Sequence, residues 1–221
     1  ASDEPLAPLV DAGALERRSL AEFDVVFMRK DPPVDEDFVT ATWILDRAGT
    51  LVLNRPGALR DDNEKLSMLP FADLIPDTRL LRDAADIRGA LAELGGKMIL
   101  KPVLGYGGRE ILLAVEGDPN LSTLIELATQ DGTRWTVAQQ FLPEAGVGDK
   151  RILLVDGRAI GAVLRVPASG ELRNNFHAGG SPALTELSER DREICTQVGP
   201  WLRERGHFFA GIDVIGEYLT E

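Results

Sequence analysis

The hydrophobic pattern of the first 64 residues predicts a strand–helix–strand unit. Residues 24–28 form a short apolar run, and the prolines at 32 and 33 prevent its regular continuation. Residues 36–48 carry apolar side chains at helical spacing, and residues 50–54 are again a short apolar run. This order is typical of a parallel unit, because a helix must return the chain to the start of the sheet.

The remaining residues predict mixed α and β structure with several antiparallel hairpins. Helices are predicted at residues 84–94, 121–129 and 188–205, and strands at 98–102, 110–115 and 135–142. The Asp156-Gly157 pair between two β-rich runs predicts a hairpin over residues 150–166, and a second hairpin is predicted over residues 208–220. Residues 168–181 are rich in Gly, Asn, Ser and Ala, which predicts a long mobile loop.

The composition excludes several classes of function. The chain of 221 residues is 44% hydrophobic and 27% charged, as in ordinary soluble domains. Its formal net charge of −12 argues against polyanionic partners, so neither nucleic acid nor an anionic membrane is expected. No apolar run approaches the roughly 20 residues that span a bilayer. The single Cys195 rules out an internal disulfide and fits a reducing compartment, so the cytoplasm is the expected location.

The sharpest local motif is Lys101 followed by Gly105-Tyr106-Gly107-Gly108. Glycines let backbone N–H groups approach phosphate oxygens, and a nearby lysine supplies a positive charge. Familiar phosphate-binding loops lie between a strand and a helix, whereas this run lies between two predicted strands. The pattern fits a hairpin flap that folds over a nucleotide, and it fits a plain hairpin with a glycine turn equally well. Lys65 is a second candidate cation, or otherwise a surface lysine at a helix start.

Two carboxylates near the end of the sequence are candidate metal ligands. Asp213 interrupts an apolar run, and a buried carboxylate needs a cation or a strong donor nearby. A turn centred on Gly216 would pair Asp213 with Leu219 and place Glu221 on the same face, about 7–8 Å away diagonally. Two such acids could supply most of the protein ligands of a nucleotide-bound magnesium ion. The alternative, a solvated hairpin face, fits Glu221 better than Asp213.

Three arginines are predicted to lie near the open end of the first hairpin. Arg151 begins the first strand of this hairpin and Arg165 ends the second, so both lie at its open end. Arg173 lies in the loop that follows. Converging guanidinium groups suit the bidentate recognition of a carboxylate. Taken singly, each arginine is better explained as a surface charge.

In their order along the chain, these motifs resemble the prokaryotic glutathione synthetases of the ATP-grasp superfamily, from about Phe23 to Glu221. The matching stretches are Met28-Arg29-Lys30-Asp31-Pro32-Pro33, Asn54-Arg55-Pro56, Leu59-Arg60-Asp61 with Asn63-Glu64-Lys65, Ile99-Leu100-Lys101-Pro102, Gly148-Asp149-Lys150-Arg151, Ala178-Gly179-Gly180 and Gly211-Ile212-Asp213-Val214-Ile215-Gly216. Each stretch is weak alone, but their order and spacing are specific. The Arg-Lys-Asp-Pro-Pro run separates this family from other ATP-grasp ligases.

The resemblance implies an α/β (α+β) protein with two domains. An ATP-grasp fold at residues 65–221 would follow a partial Rossmann-like pre-ATP-grasp domain at residues 1–64. The lid would cover about residues 65–142 and the C-terminal part residues 143–221. The resemblance also implies that this sequence is incomplete at both ends relative to the family pattern.

The implied activity is the ATP-dependent ligation of γ-glutamylcysteine and glycine, which gives glutathione, ADP and phosphate. ATP would phosphorylate the cysteinyl carboxylate, and the glycine amine would then displace phosphate from the acyl phosphate. The implied cofactors are ATP with Mg²⁺ or Mn²⁺, and the implied assembly is a homotetramer. The alternatives are another ATP-grasp carboxylate–amine ligase and a nucleotide-binding module without turnover.

The resemblance also implies roles for individual residues. The nucleotide-binding residues would be Lys65 and Lys101 at the phosphates, Gly105, Tyr106, Gly107 and Gly108 in the flap, Gln139, Gln140, Phe141 and Leu142 against adenine, and Asp149 at the ribose. The remaining implied residues are Asp213 and Glu221 at magnesium, Arg151 and Arg165 at the acyl phosphate or dipeptide, Arg173 and Asn175 in the closing loop, and Arg29 and Asp31 at the substrate.

Overall fold

The first described residues build a small parallel unit. The computed structural model describes residues 16–168, 170, 174 and 179–221. Strands β1 (Val25–Phe27) and β2 (Leu51–Leu53) pair in parallel and are connected by helix α1 (Glu36–Leu45). The Asp35 carboxylate caps α1 by accepting a hydrogen bond from the Phe38 N–H at 2.9 Å. The predicted strand–helix–strand order is confirmed.

A four-stranded antiparallel sheet with two helices forms the central part of the chain. Its strands are β3 (Thr78–Leu81), β4 (Lys97–Pro102), β5 (Leu112–Val115) and β6 (Thr136–Gln140), in the order β3-β6-β4-β5. Helix α2 (Pro56–Asp61) precedes the sheet, and helices α3 (Ala84–Glu93) and α4 (Leu121–Thr129) lie within this part of the chain. Met98 and Leu100 of β4 are buried in one cluster with Ile87 of α3 and Ile125 of α4. Each such side chain stabilises the fold by about 1.5–3 kcal/mol through leaving water.

The last part of the described chain forms a five-stranded antiparallel sheet. Its strands are β7 (Asp149–Val155), β8 (Arg158–Val166), β9 (Ser181–Leu184), β10 (Phe209–Ile215) and β11 (Tyr218–Leu219), in the order β11-β10-β7-β8-β9. Helix α5 (Glu189–Arg205) packs Ile194 and Val198 against Ile152 and Ile212 of the sheet. Helix α5 therefore covers one face of the sheet, and the opposite face can carry polar side chains. Within the described ranges, no helix has both the length and the hydrophobicity of a membrane span.

Two features of this sheet bear on the predicted hairpin and loop. Asp156 and Gly157 both have positive φ, 48° and 71°, as a two-residue hairpin turn requires, so the hairpin over residues 150–166 is confirmed. Of the predicted loop over residues 168–181, only 168, 170, 174 and 179–181 are described. Ser181 begins strand β9, which the composition of the region did not predict. This strand lies at the sheet edge, where Pro182 is tolerated.

The structure corrects the predicted register of the last hairpin. The turn is Gly216-Glu217, so Leu219 pairs with Val214 and not with Asp213. The Asp213 N–H donates to the Glu221 carbonyl at 2.7 Å, and the Thr220 N–H donates to the Asp213 carbonyl at 2.8 Å. Asp213 therefore opposes two successive residues, as at a β-bulge. The diagonal placement of Glu221 was wrong: the turn lies one residue later than predicted, and the bulge sets Glu221 directly opposite Asp213, with both side chains still lining the same cleft.

The parallel unit is joined to the last sheet by side-chain hydrogen bonds. The Asn54 amide donates to the Phe209 carbonyl and accepts from the Phe209 N–H, both at 2.8 Å. Asp62 accepts from the Arg205 Nε at 2.8 Å, and its carboxylate lies 2.8 Å from His207 Nε2. Burial opposes ionisation of Asp62, but the hydrogen bonds from Arg205 and His207 outweigh it and lower the pKa of this carboxyl.

Replacing Asp62 by asparagine is expected to destabilise the protein by about 1–3 kcal/mol at pH 7. Since the pKa of Asp62 is lowered in the folded state, its ionised form stabilises the fold above the unfolded value of about 3.9. That contribution is lost as pH falls below this value. Urea unfolding between pH 3 and 7 should therefore show the difference between wild type and Asp62→Asn shrinking below about pH 4.

The matched control for this prediction is Asp61→Asn, because Asp61 is the exposed neighbour and, in the part of the chain that the structure describes, its one ion pair is with the Arg60 side chain, at 3.4 Å. We expect this variant to change the free energy of unfolding by less than about 0.5 kcal/mol. Equal effects of the two substitutions, or a difference that does not vary with pH, would contradict the proposed origin of the stabilisation.

Candidate functional site

A cleft lies between the two larger sheets. Every residue predicted to bind nucleotide or metal lines it: Lys65, Lys101, Gly105, Tyr106, Gly107, Gly108, Gln139, Gln140, Phe141, Leu142, Asp149, Asp213 and Glu221. These positions are spread over 157 residues of sequence, from Lys65 to Glu221. The fold therefore brings together, in one cleft, the residues that the resemblance assigns to one site.

The glycine loop, residues 103–111, connects two antiparallel strands and forms one wall of the cleft. Gly107 and Gly108 have φ of 60° and 75°, a conformation that glycine adopts without strain. The Gly105 N–H donates to the Pro102 carbonyl at 3.2 Å. A Cβ on Gly105 would lie 2.6 Å from Pro102 Cγ, so the turn at the start of the loop leaves no room for a side chain.

Replacing Gly105 by alanine is expected to weaken the ATP binding that the resemblance implies about tenfold, because the added methyl group forces the start of the loop away from Pro102 at a cost of about 1–3 kcal/mol. Calorimetric titration with ATP would measure the change. Gly146→Ala is the matched control, since a Cβ built there meets no atom beyond its neighbours along the chain within 4 Å. An unchanged affinity in Gly105→Ala would show that the position of this turn does not matter for binding.

Two buried lysines meet a single carboxylate beneath the glycine loop. Lys65 is 3% exposed and Lys101 is 5% exposed. Their Nζ atoms lie 3.6 Å and 3.4 Å from the same oxygen, Oε1 of Glu221. Burial opposes ionisation of Glu221, but the Lys101 and Lys65 ammonium groups outweigh it and lower the pKa of this carboxyl. Two ammonium groups that converge on one anionic position form a site suited to a phosphate group.

A second charged cluster lies on the face of the last sheet opposite α5. Asp213 and Arg151 are direct cross-strand partners, as are Asp149 and Arg165. Asp213 accepts from Arg151 through Nε and through Nη2 at 2.9 Å, and its Oδ2 lies 2.8 Å from Arg165 Nη2. Arg165 also donates to both oxygens of Asp149, at 2.7 Å for the Nη2 bond. The four side chains share one face because positions two apart on a strand point the same way.

The pKa values of this cluster follow from burial and from the pairs. Burial, which outweighs the bonds from Arg165, raises the pKa of Asp149. Burial disfavours the charged form of Arg165, but the hydrogen bonds to Asp149 and the charge of Asp213 outweigh it and raise the pKa of Arg165. The network therefore keeps the guanidinium charged beside the cleft.

The donor chemistry of the cleft suits a magnesium ion. A carboxylate offers about four lone-pair sites. The three contacts from Arg151 and Arg165 leave one site on Asp213, and Glu221 adds a second carboxylate on the same cleft. Among the described residues, no group of three or more His, Cys, Asp or Glu is arranged to hold a metal. Two acids suffice for Mg²⁺, which takes its other ligands from phosphate and water.

The other predicted site residues that the structure describes, Arg151, Arg165, Arg29 and Asp31, lie outside the cleft lining. Arg151 and Arg165 reach the site through Asp213 and Asp149. The Arg29 guanidinium stacks over the Phe209 ring at 5.0 Å, and Asp31 is exposed. Their roles at the acyl phosphate and substrate stay predictions. Arg173 and Asn175 fall outside the described residues, so their predicted contacts do too.

Several lining residues were not predicted from the sequence. They are Ile99, Arg109, Ile111, Ala145, Asn174, Ile215 and Thr220. Strand alternation was a usable signal for two of them, since Ile99 is two residues from Lys101 and Ile215 is two residues from Asp213. These isoleucines give the cleft an apolar wall that suits a nucleobase.

Comparison with known proteins identifies the family. Residues 64–221 match the model of the prokaryotic glutathione synthetase ATP-grasp domain, and residues 2–60 match that of the N-terminal domain of the same enzymes. The chain belongs to the prokaryotic glutathione synthetase family. It is 50% identical over 210 residues to the glutathione synthetase of Gloeobacter violaceus, covering 91% of this chain and 64% of that protein. It is 48% identical over 206 residues to the glutathione synthetase of Escherichia coli K12, covering 91% and 65%.

Solved structures support the fold assigned to this glutathione synthetase family member. D-cycloserine synthetase DcsG superposes with a TM-score of 0.72 at 12% identity, covering 98% of this chain and 78% of that one. The D-alanine–D-alanine ligase of Bacillus anthracis complexed with ATP gives a TM-score of 0.65 at 16% identity, covering 90% and 67%. The predicted ATP-grasp fold is therefore confirmed. The chain spans about 65% of the length of its curated relatives, from 64% to 67%.

Proposed function

We propose that the protein is a glutathione synthetase, which joins γ-glutamylcysteine to glycine at the expense of ATP. The observation that carries the proposal is the convergence of Lys65 and Lys101 on one anionic position under the glycine loop. The ligand class that fits two buried ammonium groups beside two carboxylates is a nucleotide phosphate with a divalent cation. The identity of about 50% to glutathione synthetases supplies the substrates.

Each part of the nucleotide has a matching part of the cleft. Ile99, Ile215 and the segment Gln139–Leu142 would enclose the adenine, and Asp149 would contact the ribose. Lys65 and Lys101 would exchange their contacts with Glu221 for phosphate oxygens. Asp213 and Glu221 would hold Mg²⁺, which when bound neutralises phosphate charge.

The reaction needs no side-chain nucleophile. An oxygen of the cysteinyl carboxylate would attack the γ-phosphorus, forming a C–O–P bond as the bond to ADP breaks. The glycine amine would then attack the acyl carbon and release phosphate, losing a proton as the amide forms. The contribution of the protein is positioning and charge neutralisation, for which Arg151 and Arg165 lie beside the cleft.

The organisation of the complete enzyme is part of the same proposal. Residues 65–221 would form the ATP-binding part and residues 1–64 part of a substrate-side domain. A cytoplasmic location and assembly into a homotetramer are proposed by analogy with the family.

The test is ADP release measured against a panel of substrates. We expect release with γ-glutamylcysteine and glycine together, and none when D-alanine or glutamate replaces glycine. Release with another amino acid would favour a different carboxylate–amine ligase. ATP binding by calorimetry without release in any combination would favour a nucleotide-binding module.

A further inference from the structure

The side chain of Asn63 connects the segment that carries Lys65 to the glycine loop. Its Oδ1 accepts hydrogen bonds from the N–H groups of Lys65 at 2.9 Å and Leu66 at 3.2 Å. Its Nδ2 donates to the Val103 carbonyl at 2.9 Å, across 40 residues of sequence. The oxygen therefore fixes the turn that begins at Asn63, and the nitrogen fixes the loop to that turn.

Lys65 contacts the same stretch of the loop. Its ammonium group donates to the Gly105 carbonyl at 2.6 Å. Val103 and Gly105 both belong to the turn closed by the hydrogen bond from the Gly105 N–H to the Pro102 carbonyl. Asn63 and Lys65, two residues apart, thus hold two carbonyls that are also two residues apart.

These two contacts differ in how they respond to a bound phosphate. An ammonium group has three protons, and Lys65 also donates to Glu64 Oε1 at 2.6 Å and lies 3.6 Å from Glu221 Oε1. A phosphate group between Lys65 and Lys101 competes for those protons, so the Lys65 contact with Gly105 is exchangeable. Asn63 is uncharged and is not among the cleft-lining residues, so its bond to Val103 persists when the phosphate binds.

We infer that Asn63 is a positioning residue, which holds the start of the glycine loop in register with Lys65 so that the loop is set for a nucleoside triphosphate. The identity of that ligand rests on the proposed function, whereas the contact between Asn63 and the loop does not. Without the contact, the loop must be ordered at the moment of binding, and that ordering lowers the apparent affinity.

Two substitutions separate the hydrogen bond from Asn63 to Val103 from the hydrogen bonds by which the Asn63 oxygen caps the turn. Asn63→Ser keeps an oxygen that can cap the turn, adds no charge and is too short to reach Val103. Asn63→Asp keeps the shape and the capping oxygen but places an acceptor against the Val103 carbonyl. Asn120→Asp is the matched control, because Asn120 makes no side-chain capping hydrogen bond at the start of α4.

The test combines hydrogen exchange of the Gly105 amide in the ligand-free protein with calorimetric titration of ATP. In both Asn63 variants we expect Gly105 exchange to accelerate about tenfold and the dissociation constant for ATP to rise about tenfold, as loss of one hydrogen bond of about 1 kcal/mol or slightly more implies. The KM for γ-glutamylcysteine and the melting temperature should stay within about twofold and 3 °C of wild type. Asn120→Asp should change none of these quantities.

Wild-type Gly105 exchange in Asn63→Ser would overturn the inference, as would faster exchange with an unchanged ATP dissociation constant. Failure of the wild-type protein to bind ATP would instead contradict the proposed function. The exchange measurement on the ligand-free variants would still decide whether Asn63 holds the loop.

Discussion

Replacing Asp213 by asparagine is expected to lower the rate of ATP-dependent ligation by about 10²–10³-fold, the loss typical of removing one preorganised electrostatic partner. Asp213 carries the only negative charge that contacts both Arg151 and Arg165 among the described residues. Without that charge the two guanidinium groups repel each other, and one of the two candidate metal carboxylates is gone. The kcat should fall, and the Mg²⁺ concentration needed for half-maximal activity should rise.

The difficulty with this variant is that removing one partner of a buried ion pair also destabilises the fold, by about 3–5 kcal/mol. Asp191→Asn is therefore the control. Asp191 is fully buried and pairs with Lys150, but it does not line the cleft. Both variants should unfold at lower urea concentration than wild type, whereas only Asp213→Asn should lose activity per folded molecule. Equal losses of activity in the two variants would reduce the role of Asp213 to stability.

Replacing Lys101 by methionine is expected to raise the dissociation constant for ATP about 10²-fold, because truncating one member of a buried charge pair costs about 2–5 kcal/mol. Methionine keeps the length of the side chain and removes the ammonium group. The free energy of unfolding should also fall, because Glu221 loses one of its two ammonium partners and keeps only the contact with Lys65. The distinguishing result is therefore a loss of ATP affinity measured on the folded variant, under conditions where the control variant and wild type are folded too.

Lys97→Met is the matched control for Lys101→Met. Lys97 lies on the same strand, four residues earlier, and its side chain is exposed and outside the cleft. We expect calorimetry to give the wild-type ATP affinity for this variant. If Lys101→Met also binds ATP like wild type, the two lysines do not form a phosphate site.

The elements that were predicted correctly are those with a local signal. Helix α4 was predicted at its observed residues, 121–129, because its apolar side chains recur at helical spacing. The Asp156-Gly157 hairpin was predicted because both turn positions need positive φ. The glycine loop was correctly placed between two strands, because the apolar runs on either side are short and rich in β-branched or aliphatic residues.

The features that were missed depend on strands that are distant in sequence. Asp213 was expected to need a cation and Arg151 was expected to bind a carboxylate, but the pairing of β7 with β10 that joins them spans 62 residues. Similarly, nothing local to His207 indicates that it meets Asp62, 145 residues away. The register of the last hairpin was wrong because a turn placed one residue later leaves the hydrophobic pattern unchanged. The bulge that keeps Glu221 on the cleft depends on backbone hydrogen bonds at Asp213, which no local pattern indicates.

The most direct test of the proposed ligase reaction is whether an oxygen atom of the cysteinyl carboxylate is transferred to the released phosphate. The protein is incubated with ATP, glycine and γ-glutamylcysteine that carries ¹⁸O in its cysteinyl carboxylate, and the phosphate released is analysed by mass spectrometry. If the carboxylate attacks the γ-phosphorus and the amine then displaces the acyl phosphate, each phosphate carries one ¹⁸O atom for every glutathione formed. Glutathione accompanied by unlabelled phosphate would contradict the acyl phosphate, and labelled substrate recovered without any glutathione would contradict the ligase.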